Sequence, residues 1–147
     1  MILAHAIIGV TAGNYFHSFW PILIGSVFPD IDHLFVVLRH RFFSLAKILD
    51  SMRFEKKYNV RYKTKFVHSV FGAFIFSFFV WIFFGKDDSF YFFLAYSGHL
   101  VLDWPDCDEK YYFFPFRIRF NGILPIASKL EIVFTIIISI IMAITFT

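Results

Sequence analysis

A single cysteine, five prolines, seven glycines and few charged residues narrow the reading of these 147 residues from the start. One Cys, Cys107, excludes an internal disulfide and gives no sign of an oxidising compartment. No Pro-rich or Gly/Ser-rich stretch separates two units, and no repeat or low-complexity tract appears, so residues 1–147 read as one domain. Only 17% of residues are charged, against about 25% in soluble domains. The start, Met1-Ile2-Leu3-Ala4-His5, has neither the basic flank nor the cleavage site of a signal peptide, so the first apolar stretch is expected to be a retained helix.

What is abundant is apolar. Hydrophobic residues make up 59% of the chain, with 24 Phe. A water-soluble globule of this size buries too small a fraction of its surface to hide them, and lipid is the solvent that accepts them. The net charge is +3, and nine of the fourteen Lys/Arg fall between Arg39 and Lys65. Such a run fits nucleic acid, but interruption by Asp50 and Glu55 fits an amphipathic segment at anionic head groups as well. The positive-inside rule makes a cytoplasmic loop the preferred reading and nucleic acid the weaker one.

The expected fold class is an all-α membrane protein with about five embedded helices, some short or broken, and a basic cytoplasmic loop carrying a surface helix. The apolar segments are 2–18, 22–38, 66–84, 89–104 and 132–146. Trp20-Pro21 marks a turn before the second segment, with Pro suited to a first helical turn. Pro29 lacks a backbone donor, so Pro29-Asp30-Ile31-Asp32-His33 predicts a kink or break in that segment. Gly85-Lys86-Asp87-Asp88 predicts a tight turn, and residues 105–130 a mixed loop. With 39–65 in the cytoplasm, the N-terminus is cytoplasmic, the C-terminus is outside, and the chain is multi-pass in the cell (inner) membrane.

On that topology His5, Asp30, Asp32, His68, His99, Asp103 and Glu131 all fall toward the cytoplasmic leaflet. Charged groups within a membrane are costly and mark function. His99 and Asp103 are four apart and share a helical face, able to hold one ion. Asp30 and Asp32 flank the predicted break, where a carboxylate bridges metals or serves as a base. Histidine with carboxylate suits zinc first, with manganese or iron as alternatives. The bland readings stand beside these. His17 and His40 read as packing residues, Glu131 as a helix N-terminal acid, and His33 as a head-group neighbour or a donor behind the ligands.

His5, then Gly25-Ser26-Val27-Phe28-Pro29-Asp30-Ile31-Asp32-His33, then His68-Ser69 and Gly98-His99-Leu100-Val101-Leu102-Asp103 occur in that order. With Phe114-Pro115-Phe116-Arg117-Ile118-Arg119-Phe120 and Glu131, they resemble the YdjM-like family of membrane-bound metal-dependent hydrolases over nearly the whole chain. That family is in turn distantly similar to the zinc phospholipase C and P1 nuclease group. The resemblance implies metal ligands at His5, Asp30, His68, His99 and Asp103, with Asp32 a ligand or a base. The family's His-Arg-Gly run before His-Ser is replaced here by Lys63-Thr64-Lys65-Phe66-Val67, and its Thr-Pro-x-Gly-like turn by Trp104-Pro105-Asp106-Cys107-Asp108.

The function expected is hydrolysis of a phosphoester or lipid-linked substrate at the cytoplasmic leaflet. Asp30 or Asp32 would act as base, and Arg117 and Arg119 would hold phosphate if they fold back. Ser69 is a further candidate for substrate contact. Two alternatives from other classes are an ion or proton transporter and a scaffold pinned by metal. A transporter needs polar residues on the outer side, and only Asn14 and His17 offer them.

Overall fold

The computed structural model describes residues 2–126 and 128–146. It is mostly helical: α1 (Ile2–Tyr15), α2 (Phe19–Val27), a 3-10 turn (Phe28–Asp30), α3 (Ile31–His40), α4 (Leu45–Arg53), α5 (Glu55–Tyr58), α6 (Val70–Phe84), α7 (Lys86–Leu102) and α8 (Lys129–Thr145). A small antiparallel ribbon joins β1 (Glu109–Lys110) to β2 (Phe120–Asn121), with Glu109 opposite Asn121 and Lys110 opposite Phe120.

Local chemistry explains most of the boundaries. His17 takes a left-handed conformation at φ 55°, which ends α1 and turns the chain into α2, so it is a turn residue and not a packing residue within a helix. Pro21 lies in the first turn of α2, where its missing N–H has no helical partner to lose. Pro29 interrupts the regular α-helix of the second segment, as its missing donor predicts. The helix tightens into one 3-10 turn over Phe28–Asp30 and continues as α3. Ser69 caps α6 by accepting a hydrogen bond from Gly72 N (3.0 Å), so that helix begins four residues later than hydropathy alone predicts. Gly85 (φ +98°) separates α6 from α7, and the predicted tight turn shrinks to this one residue. Lys86, Asp87 and Asp88 already belong to α7, where the two acids meet the positive end of the helix dipole.

In the bundle, α2 lies between α1 and α7, α6 packs on the other side of α7, and α8 docks on α1. The α2–α7 crossing is close because Gly25 has no Cβ: one built there would fall 2.6 Å from the Phe92 carbonyl oxygen. Ala73, Phe92, Tyr96 and Leu100 form the buried apolar centre between α6 and α7. The basic segment is no plain loop. Its α4 and α5 fold against α3 around Val36, Phe42, Val60 and Tyr62, with Ser51 Oγ and Tyr62 OH hydrogen-bonded at 2.6 Å.

Of the five expected spans, one is long and apolar enough to cross a membrane among the described residues: the continuous helical run Phe19–His40, 22 residues. The apolar helices Ile2–Tyr15 and Val70–Phe84 have only 14 and 15 residues. At 1.5 Å per residue these fall short of the roughly 30 Å hydrocarbon core. Caps and turns at His17, Ser69 and Gly85 take residues that hydropathy alone assigns to spans. The surface is nonetheless strongly apolar. Phe74, Phe78, Phe79, Ile82 and Phe83 on α6 and Ile132, Ile136, Ile140 and Ile144 on α8 are exposed, and α8 buries no residue at all. Apolar coats of that extent mark contact with membrane or protein.

Candidate metal centre

The pattern of a soluble protein is inverted here: isoleucine and phenylalanine face outward while His5, Asp30, Asp32, Lys63, His68, His99, Asp103, Asp106 and Lys110 are buried. Most of these meet at one end of the bundle. The start of α1 brings His5, the 3-10 turn Asp30, and the first turn of α3 Asp32. The turn before α6 brings His68, the last turn of α7 His99, and the residue after α7 Asp103.

Each imidazole is held by one nitrogen. His99 Nδ1 lies 2.7 Å from the Ser26 carbonyl oxygen, which can only accept, so Nδ1 carries a hydrogen and the neutral ring keeps its lone pair on Nε2. His68 Nδ1 donates to Asp32 Oδ2 at 3.1 Å, which likewise leaves Nε2 as the acceptor. Neither Nε2 has a hydrogen-bond partner, nor does Asp30 Oδ2, and all three atoms are buried. His99 Nε2 stands 3.5 Å from Asp103 Oδ2 and 3.9 Å from Asp30 Oδ1, and His68 Nε2 stands 3.7 Å from Asp103 Oδ2. His5 stacks on His99 with ring centroids 3.7 Å apart and places Nε2 3.0 Å from Asp103 Oδ1.

Two overlapping triads follow, His5–His99–Asp103 and Asp30–His68–His99, each with ligand atoms within 4.8 Å of one another. Buried polar atoms left without partners are expensive. Three of them converging from different elements beside the Asp103 carboxylate, with nitrogen and carboxylate oxygen mixed, fit a divalent ion of the zinc, manganese or iron type.

The other expected residues lie elsewhere. Asp32 stands behind His68, its Oδ2 shared between His68 Nδ1 and Thr64 N (2.9 Å). His33 sits beside Asp30, with Nδ1 3.2 Å from Oδ1, and stacks on Tyr62. Ser69 spends its hydroxyl on the α6 cap and on the Phe66 carbonyl (2.6 Å). Glu131 occupies the third position of α8, where its N–H is held by Ser128 Oγ at 3.2 Å, as in a capping box. Arg117 and Arg119 do not fold back: both are exposed, and Arg119 pairs with Glu109 at 3.1 Å.

Sequence reasoning missed the acidic turn and its lysines. Lys63 Nζ is 2.7 Å from Asp103 Oδ2, 3.0 Å from Asp106 Oδ2 and 3.2 Å from Asp108 Oδ2. Lys110 Nζ is 2.7 Å from Asp108 Oδ1 and also donates to the Asp106 carbonyl. Burial disfavours the Lys63 ammonium, but Asp103, Asp108 and Asp106 outweigh it and hold its pKa well above the ordinary value. Burial pushes the Asp106 carboxyl up to about 6, Lys63 opposing and Asp103 reinforcing. In the sequence, Lys63 was one cation among nine and carried no mark of burial. The spacing Asp103-x-x-Asp106-x-Asp108 beside Pro105 was the available signal.

A narrow cleft lined by Asp30, His33, Glu55, Tyr62, Lys63 and Asp103 leads from this cluster toward the basic segment. No curated protein and no solved structure matches the chain. Residues 1–146 match the YdjM inner membrane protein family, and the chain belongs to that family.

Proposed function

We propose that the chain is a membrane-bound, metal-dependent hydrolase acting on a phosphoester or lipid-linked substrate at the cytoplasmic leaflet. The observation that carries this reading is the convergence of three unpartnered buried atoms, Asp30 Oδ2, His68 Nε2 and His99 Nε2, beside the Asp103 carboxylate. His5, Asp30, His68, His99 and Asp103 would hold the ion. A divalent ion held there supplies Lewis acidity toward a phosphoryl oxygen and a water of lowered pKa.

The chain's own residues do the rest. Ser26 and Asp32 fix the tautomers of His99 and His68, so both rings present a lone pair inward. Asp30 lines the cleft beside the place of the ion, which suits its carboxylate to accept a proton from water there. His33, bonded to Asp30 Oδ1 and lining the same cleft, offers that proton a way out. Asp32 has both its contacts turned to the protein, so the base role falls to Asp30. The substrate class draws on the resemblance to phosphoester hydrolases and on the leaflet that the basic segments favour, in a multi-pass chain with a cytoplasmic N-terminus.

The test is elemental analysis of detergent-purified protein together with phosphodiester turnover, in the parent and in His99→Ala and Asp103→Asn. Stoichiometric metal in the parent, with metal and turnover both lost in the variants, is expected. A parent without metal sinks the reading. Metal without turnover of any phosphoester or lipid-linked ester leaves the chain a metal-pinned scaffold.

A further inference from the structure

We infer that Lys63 is a built-in cation whose ammonium fills the place of a second divalent ion, so that the centre takes one metal and not two. The inference rests on the metal-centre reading above and goes on to its stoichiometry.

The ground is geometric. Three carboxylate oxygens from Asp103, Asp106 and Asp108 converge on Lys63 Nζ at 2.7–3.2 Å, and the lysine is 5% exposed. Oxygens from several carboxylates closing on one buried point form the donor set of a hard cation, which would sit nearer, at about 2.0–2.6 Å. The observed distances are those of ammonium N–H···O bonds. Asp103 belongs to both halves: Oδ1 faces His5, while Oδ2 faces Lys63, His68 and His99. A carboxylate placed this way would bridge two ions if the ammonium were absent. Asp106 Oδ1 is buried without a hydrogen-bond partner, leaving an oxygen to give to such an ion. Asp30, Lys63, Asp103, Asp106 and Asp108 line one cleft, so the two halves share one space.

Charge points the same way. Asp103, Asp106 and Asp108 already hold the ammonium of Lys63, and Asp108 that of Lys110 as well. One divalent cation still finds its ligands on the histidine side of Asp103. A second would stand beside a buried ammonium, in surroundings where like charges repel strongly.

The full chain in detergent, stripped with chelator, is titrated with zinc alone and counted by calorimetry and elemental analysis. The parent is expected to bind one zinc per chain, Lys63→Arg one, and Lys63→Met two. Two zinc ions in the parent, or one in a folded Lys63→Met, overturn the inference while leaving the metal centre standing. No zinc in the parent overturns both. Loss of the ammonium between three buried carboxylates threatens the fold of Lys63→Met, so its thermal unfolding is followed with and without zinc. Zinc-dependent folding is expected, and failure of zinc to restore the fold counts against the inference. Adding Asp106→Asn and Asp108→Asn to Lys63→Met should restore folding without zinc and return the count to one. A count of two in that triple variant also overturns the inference.

Discussion

His68 and His99 each commit one ring nitrogen to the protein, and that commitment decides whether the other can bind a metal. The two anchors differ in strength. Ser26 offers His99 a backbone carbonyl that substitution of its side chain leaves in place, whereas Asp32 offers His68 a carboxylate that one change can neutralise. Asp32→Asn should therefore lower metal affinity by about 10–100-fold, the usual loss when such a partner is weakened. His99→Ala should abolish binding, since it removes the one residue common to both triads. Chelator competition reads both, and unchanged affinity in Asp32→Asn would mean that His68 does not depend on this carboxylate and would return Asp32 to the candidates for base. A second residue-scale effect concerns protons. Asp106 is raised from 3.8 to about 6 in the fold, so the folded protein binds this proton more tightly than the unfolded chain. Its contribution to stability is complete below about pH 3.8 and is lost as pH rises through about 6. In metal-stripped protein, Asp106→Asn should flatten the fall in melting temperature across that window; an identical profile in parent and variant would exclude Asp106 as the titrating group. His99 with Asp103 was readable because four residues make one helical turn. Lys63 was not, because burial comes from the folding of α4 and α5 and not from anything local to a lysine.

Between elements, the crossing of α2 over α7 couples packing to chemistry. Gly25 sets that distance and Ser26, its neighbour, holds His99 through its carbonyl. Gly25→Val would drive a side chain into the Phe92 carbonyl, and overpacking of this kind costs about 1–3 kcal/mol. A lower melting temperature is expected, together with weaker metal binding, because separating α2 from α7 lengthens the Ser26–His99 hydrogen bond. Loss of stability with metal affinity intact would mean that the centre does not depend on this crossing. The apolar runs legible in the sequence do become helices, and the end of α6 at Phe84 follows the composition closely. Starting points were less legible. Ser69 and Ser128 act through hydroxyl groups on single N–H donors, a signal that hydropathy averaging erases. Pro29 was legible: the regular α-helix gives way there to one 3-10 turn, and the helical run then carries Asp30 and Asp32 inward.

Across the whole molecule, the buried polar groups gather at one end and much of the remaining helical surface is apolar. His5 begins α1 and His68 precedes α6, while Asp30 ends the 3-10 turn after α2 and Asp103 follows α7. Helices running alternately up and down bring those four points to the same end, and the basic segment 39–65 and the acidic turn 103–108 lie there too. If the positive-inside rule governs this chain, that end faces the cytoplasm. Cys107 sits in the acidic turn, exposed, and is the protein's one thiol, so a single label reports the side on which the centre opens. An impermeant maleimide should leave Cys107 unmodified in intact cells and modify it once the membrane is permeabilised, with a mass shift of the purified chain as the readout. Modification in intact cells would turn the molecule over. The metal centre would keep its geometry, but its cleft would open to the opposite leaflet, and a substrate drawn from the cytoplasmic face would no longer reach it.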